Sequence, residues 1–236
     1  MEPLTNKEFK DFIRSHKKFH ESITEISKNN SGIPLIENDF KMYSLDEMCW
    51  DCELLEEYTP KTTDALWFKE NLLDGKITLY IIEFKFHNFN NPNAKDMLKI
   101  MNESVKNSDC ASDKFKNNFT KIKNYYGDEV EFSLILKPIE SLYVVIPTLY
   151  EQYCIDNDLP IKDIRSFLDN VEKKLIVFIS HYDKKRKHNK SKQRVQTMDV
   201  SVENNYRRLE KGNIIDYHMI YPSSHFSYFL SYERLI

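Results

Sequence analysis

The sequence predicts an α/β fold, with a mixed central β-sheet flanked by helices in one domain spanning residues 1–236. Three observations carry that expectation. Two strand-like runs, Thr62-Thr63-Asp64-Ala65-Leu66-Trp67-Phe68 and Ile77-Thr78-Leu79-Tyr80-Ile81-Ile82, flank an Asp74-Gly75 pair. They read as a hairpin, because Asp-Gly supplies the positive φ that a tight turn needs. Apolar residues recur at helical spacing on both sides of this hairpin. Farther on, Lys174-Leu175-Ile176-Val177-Phe178-Ile179-Ser180 has the unbroken apolar character of a buried strand.

In chain order, residues 6–28 read as an amphipathic helix. Thr5 and Glu8 suit a capping box, and Phe9, Phe12, Ile13, His16, Phe19, Ile23 and Ile26 keep helical spacing. Asn29 to Pro34 ends it with breaker residues around Gly32. Residues 44–57 fit two patterns: Ser44 and Glu47 suit a helix cap, whereas Met48, Trp50, Cys52 and Leu54 alternate as in a strand. In the hairpin's second strand Tyr80, Ile82, Phe84 and Phe86 line one face, while Leu79 and Ile81 share the other with Glu83 and Lys85. Apolar residues on both faces place this strand at the centre of its sheet. A polar loop at 88–93 precedes expected helices at 94–107 and 113–126. Residues 139–155 form a further helical pattern with a kink at Pro147, although Tyr143 to Ile146 also suit a strand. A helix at 161–172, the strand at 174–180, a helix near 201–211 and an aromatic tail at 214–232 complete the chain.

Composition narrows the function. Hydrophobic residues make up 41% and aromatic residues 13% of the chain, enough for a packed core. No run of about 18 apolar residues suggests a membrane span, and the start lacks a basic-then-apolar leader. Cys49, Cys52, Cys110 and Cys154 are too few for a disulfide framework at this length, so a cytoplasmic location is expected. Only four glycines occur, and none are spaced for a phosphate-cradling loop, which argues against nucleotide-loop enzymes. The formal charge of −3 is uneven. Residues 184–194 carry Lys184, Lys185, Arg186, Lys187, Lys190, Lys192 and Arg194 with no acidic residue, on an otherwise acidic chain. Such a segment suits contact with nucleic-acid phosphates, or a solvated loop.

The strongest chemical signal is Glu83-Phe84-Lys85, at the end of the central strand. Residues two apart on a strand point the same way, and Asp64 lies on the partner strand. Two carboxylates and a lysine there suit a divalent cation and a phosphate. Glu8/Lys10 and Glu172/Lys174 repeat the Glu-x-Lys pattern, but the first falls on a predicted helix and the second ahead of a strand. Burying unpaired charge is costly, so Glu83 and Lys85 need solvent or a site around them.

Asp64 on one hairpin strand, Glu83-Phe84-Lys85 on the next, then helix and further strand, resemble the PD-(D/E)xK nuclease superfamily over about residues 44–182. The resemblance implies a restriction-endonuclease-like core with an N-terminal helix and a C-terminal extension. It also implies Mg²⁺- or Mn²⁺-dependent hydrolysis of phosphodiester bonds, with DNA the expected substrate. Asp64 and Glu83 would be metal ligands, with the Phe84 carbonyl beside them, and Lys85 the catalytic lysine. A further acidic residue is expected from Glu47 or Glu53. Thr63 replaces the proline usual before the aspartate, and Met97 to Asn107 lacks the glutamine and tyrosine of the exonuclease branch. The alternative implied is an inactive nuclease-fold protein that binds nucleic acid or a protein.

Other features read more plainly. Cys49 and Cys52 have zinc spacing without a second pair. His16, His20, His181, His188, His218 and His225 show no paired spacing and read as structural or surface residues. His87 would share the strand face of Lys85. Tyr217, Tyr221, Phe226, Tyr228, Phe229 and Tyr232 are expected to pack on the sheet rather than stack on bases.

Overall fold

The computed structural model describes residues 2–29, 31–58, 60–85, 135–179 and 204–236. The expected loop at 88–93, the helices at 94–107 and 113–126 and the basic run 184–194 lie outside these residues. So do Phe86, His87, Cys110, Ser180, His181 and His188.

Six strands form one mixed sheet: β1 (His20–Ser22), β2 (Lys41–Ser44), β3 (Ala65–Glu70), β4 (Ile77–Lys85), β5 (Glu172–Ile179) and β6 (Tyr217–Pro222). They lie side by side in sequence order. The first four pair antiparallel, whereas β5 runs parallel to β4 and β6 parallel to β5. Parallel neighbours need crossover connections. Helix α4 (residues 135–156) and α5 (Ile164–Asn170) belong to the first crossover, and α6 (residues 204–211) to the second. β4 is bonded along both edges, so the apolar character of both its faces has the cause expected: it is a central strand.

The sheet's two faces carry two cores. Leu66, Leu79, Ile81, Leu175 and Val177 pack against Phe9, Phe12 and Ile13 of α1 (Asn6–Ser15) and against Leu142, Ile146 and Leu149 of α4. Ala65, Tyr80, Ile82, Phe84, Ile176 and Phe178 face the other way. Phe178 is the hub there, stacked on Phe84 and Tyr221 at 5.9 and 5.8 Å and edge-on to Phe226 and Phe229 at 5.2 and 5.5 Å. Those last two belong to α7 (Phe226–Tyr232), so the aromatic tail closes the second face as expected. Tyr217, Tyr228 and Tyr232 remain exposed on its outside.

Several local expectations need correction. The expected helix at 6–28 is broken. The Thr5–Glu8 capping box opens α1, but the chain then turns through Lys17–Phe19, adds β1 to the sheet edge, and restarts as α2 (Ile23–Ile26). Ser22 caps that restart by accepting the Glu25 N–H, and the His20–Ser22 backbone finds its partners on β2. The hairpin loop is wider than an Asp-Gly turn. It runs from Asn71 to Lys76, closed by the Asn71 N–H on the Lys76 carbonyl at 2.8 Å, with Gly75 alone at positive φ. Residues 44–57 resolve as α3 (Leu45–Trp50) and a single turn at Glu53–Leu55; Met48, Cys49, Cys52 and Leu55 are buried in the first core. Tyr143 to Ile146 are helical, not a strand. Ser141–Val145 form a π-helical turn just before Pro147, whose missing N–H cannot serve the regular ladder. Glu172 and Lys174 lie within β5 rather than ahead of it. Cys49, Cys52 and Cys154 are free and buried. Among the described residues no helix is long and apolar enough to cross a membrane.

Candidate active site

The register of the hairpin brings the two carboxylates together. Ala65 pairs with Ile82 at the end of the β3–β4 ladder. The next residues outward, Asp64 and Glu83, therefore stand opposite one another and face the same side. Asp64 Oδ2 accepts the Phe84 backbone N–H, closing the ladder with a side chain. The Leu45 N–H holds the Asp64 carbonyl at 3.1 Å, tying it to the start of α3.

Helix α4 completes the site from above the sheet. Lys137, Glu140 and Ser141 share one face of it, three and four residues apart. Ser141 Oγ accepts the Thr63 N–H at 2.9 Å, and the Glu140 carboxylate accepts the Lys61 N–H and the Tyr58 hydroxyl. These bonds fix the segment leading into Asp64. Lys137 reaches the carboxylates themselves, its Nζ lying 2.7 Å from Glu83 Oε1 and 3.7 Å from Asp64 Oδ1. Lys85 pairs with the same Glu83 oxygen. The Glu83 side chain is 3% exposed, against 18% for Asp64, 24% for Lys85 and 21% for Lys137. Glu83 Oε2 is buried with no hydrogen-bond partner among the described residues. So Asp64, Glu83 and Lys85, picked out in the sequence, meet at one point.

No family model, curated protein or solved structure matches this chain.

The electrostatics of the cluster are asymmetric. Burial, reinforced by the Glu83 charge, pushes the Asp64 carboxyl up to about 7. Burial also works to raise Glu83, but the Lys85 and Lys137 ammoniums outweigh it and hold that carboxyl below the usual range. Burial works to lower Lys137; Glu83 and Asp64 overcome it and lift the ammonium above the ordinary lysine range. Two neighbouring carboxyls pushed in opposite directions are a pattern of functional sites.

Two residues of the cluster were not singled out by the sequence. Asp46, in α3, is pushed up to about 6 by burial against the pull of Lys137, and its charge is felt at Asp64. The Thr62 hydroxyl donates to it. Glu47 and Glu53, the acidic residues expected from this region, are exposed. Lys137 is the other. Its sequence signal is a lone charge inside the apolar run Leu134-Ile135-Leu136-Lys137-Pro138-Ile139. Tyr206, on α6, also borders the site: burial raises its hydroxyl, and the Glu83 and Asp64 charges raise it further.

No group of three or more His, Cys, Asp or Glu side chains converges as metal ligands among the described residues. Mg²⁺, however, keeps several waters and is commonly held by one or two carboxylates together with substrate phosphates. The two carboxylates of Asp64 and Glu83, the latter with its Oε2 unpartnered among the described residues, fit such a hard cation.

Proposed function

We propose that this protein is a metal-dependent nuclease of the PD-(D/E)xK type that hydrolyses phosphodiester bonds, with DNA the expected substrate. The observation that carries the reading is the buried Glu83 carboxylate, which meets Asp64 across the hairpin and Lys85 along its own strand, with one oxygen unpartnered among the described residues. The hairpin of β3 and β4, followed by helices and the further strand β5, supports the reading, since hairpin, helix and further strand is the order on which the resemblance rests.

In this reading Asp64 and Glu83 hold Mg²⁺ or Mn²⁺. When bound, such a cation neutralises charge on the phosphate and makes water a better nucleophile at neutral pH. Lys85 orients the attacking water and stabilises the charge that grows on the phosphoryl oxygens. Glu83 keeps the Lys85 ammonium aimed at that position. Helix α4 holds Tyr58, Lys61 and Thr63 still, so Asp64 keeps its place opposite Glu83.

The test is incubation of single- and double-stranded DNA and RNA with Mg²⁺ or Mn²⁺, wild type beside Lys85→Ala. The expected result is cleavage that requires the metal and is lost in the variant. Absence of cleavage on every substrate overturns the reading. One observation favours a second reading, a protein that binds nucleic acid without cutting: Lys137 already neutralises the carboxylates from within. That reading expects salt-sensitive binding that Lys85→Ala leaves unchanged and that neutralising the 184–194 basic residues weakens.

A further inference from the structure

Lys137 stands where a cation would. Its ammonium is within hydrogen-bond distance of Glu83 Oε1 and 3.7 Å from Asp64 Oδ1, so one positive charge bridges the two carboxylates. Lys85 already serves the same Glu83 oxygen. A pairing role alone would not need both lysines, and it leaves the other oxygen of Glu83 buried without a partner among the described residues. The two lysines also differ in origin. Lys85 is fixed to the strand that carries Glu83, whereas Lys137 arrives from α4, 54 residues farther along the chain. Its side chain is 21% exposed, which leaves a path to water.

We infer that Lys137 is a resident counter-cation that holds Asp64 and Glu83 together before a divalent cation enters, and that the entering cation must displace it. The inference rests on the metal-dependent reading of the site. An ammonium and a divalent cation sharing two carboxylate oxygens a few ångströms apart repel each other strongly in a partly buried setting. The lysine therefore lowers metal affinity while stabilising the metal-free chain. Glu83 Oε2, buried and without a hydrogen-bond partner among the described residues, is the oxygen left to serve the ion once the lysine withdraws. Lys137 is in this sense a positioning residue that sets the metal concentration at which the site becomes complete.

The experiment is Mn²⁺ titration calorimetry on the full chain for wild type, Lys137→Met and Lys137→Arg, with thermal melts in chelator. Lys137→Met is expected to bind Mn²⁺ about 10- to 100-fold more tightly than wild type. It should melt at a lower temperature in chelator, with the gap closing at saturating Mn²⁺. Lys137→Arg, which keeps the charge, should retain the weaker affinity. Binding by the Met variant where wild type binds too weakly to measure supports the inference equally. A wild type that binds Mn²⁺ as tightly as Lys137→Met, or more tightly, overturns it and leaves the metal-dependent reading standing. No Mn²⁺ binding by any of the three overturns both. Should Lys137→Met fail to fold, Lys137→Gln is read by the same criteria, because it too removes the charge.

Discussion

Two buried glutamates sit on opposite faces of the same sheet, and their surroundings differ in a way that separates a staple from a site. Glu233, at the end of α7, accepts the Tyr80 hydroxyl and the Lys174 ammonium, each at 2.8 Å. Its own backbone carbonyl takes the Lys69 ammonium. Lys174 also lies over the Tyr80 ring at 5.6 Å. A neutral hydroxyl and a single ammonium share its Oε2 with no second carboxylate pressed against it, and the result pins the C-terminal helix to β4 and β5. Glu83 has two ammoniums on one oxygen and, among the described residues, no partner on the other, which is buried, with a second carboxylate facing it. Crowded charge with an unpartnered oxygen contributes poorly to folding, since removing charges from water is costly unless every lone pair is served. Such an arrangement points to chemistry; the first points to architecture.

Exchanging the charge at each glutamate should divide the two roles. Glu83→Gln is expected to lower metal-dependent cleavage by more than about a hundredfold, measured as initial rates on a labelled oligonucleotide, with the far-ultraviolet circular dichroism unchanged. Glu233→Gln should do the reverse, costing about 2–4 kcal/mol of stability in urea melts because Lys174 loses its counter-charge, while cleavage per folded molecule stays at the wild-type rate. Loss of cleavage in Glu233→Gln beyond its unfolded fraction would break the distinction.

A pH series sharpens it. The Asp64 carboxyl is raised by burial and by Glu83 from 3.8 to about 7 in the folded chain. Its contribution to stability is therefore complete below about pH 4 and is lost as pH rises through 7. Without metal, Asp64→Asn should be more stable than wild type by about 1–2 kcal/mol at pH 8, with the advantage gone by pH 4. Thermal melts across that range in chelator measure it; an advantage that grows toward low pH would contradict the assignment.

The smallest effect is expected from replacing the staple whole. In Glu233→Gln/Lys174→Met neither charge is left buried alone, so stability should return to within about 1 kcal/mol of wild type. Urea midpoints for the two single variants and the double variant form the cycle that reads this.

The parts of the site legible in the sequence are those the strand period controls. Glu83 and Lys85 share a face because they are two apart, and Asp64 meets them because hairpin register is short-range. Lys137 and Asp46 come from helices whose approach depends on tertiary packing, and no local pattern reports that. Lys137 left a trace as a charge within an apolar run; Asp46 left none, since its neighbour Glu47 is equally acidic. The same limit explains the broken N-terminal helix. Phe19, Ile23 and Ile26 continue the apolar spacing, but Ser22-Ile23-Thr24-Glu25 repeats the capping signature of Thr5–Glu8 and marks the restart. Apolar spacing followed the core across an interruption that the polar residues had marked.

The π-helical turn at Ser141–Val145 gives α4 two phases. Ahead of it, Lys137 and Glu140 look onto the carboxylates and their approach; beyond it, Ile146, Leu149 and Tyr150 look into the core. One residue fewer in that turn would rotate the leading segment by about 100° relative to the rest. The lysine would swing off the carboxylates while the hydrophobic seam stayed in register. A single-residue insertion thus lets one continuous rod answer to two neighbours that an unbroken helical repeat could not face at once.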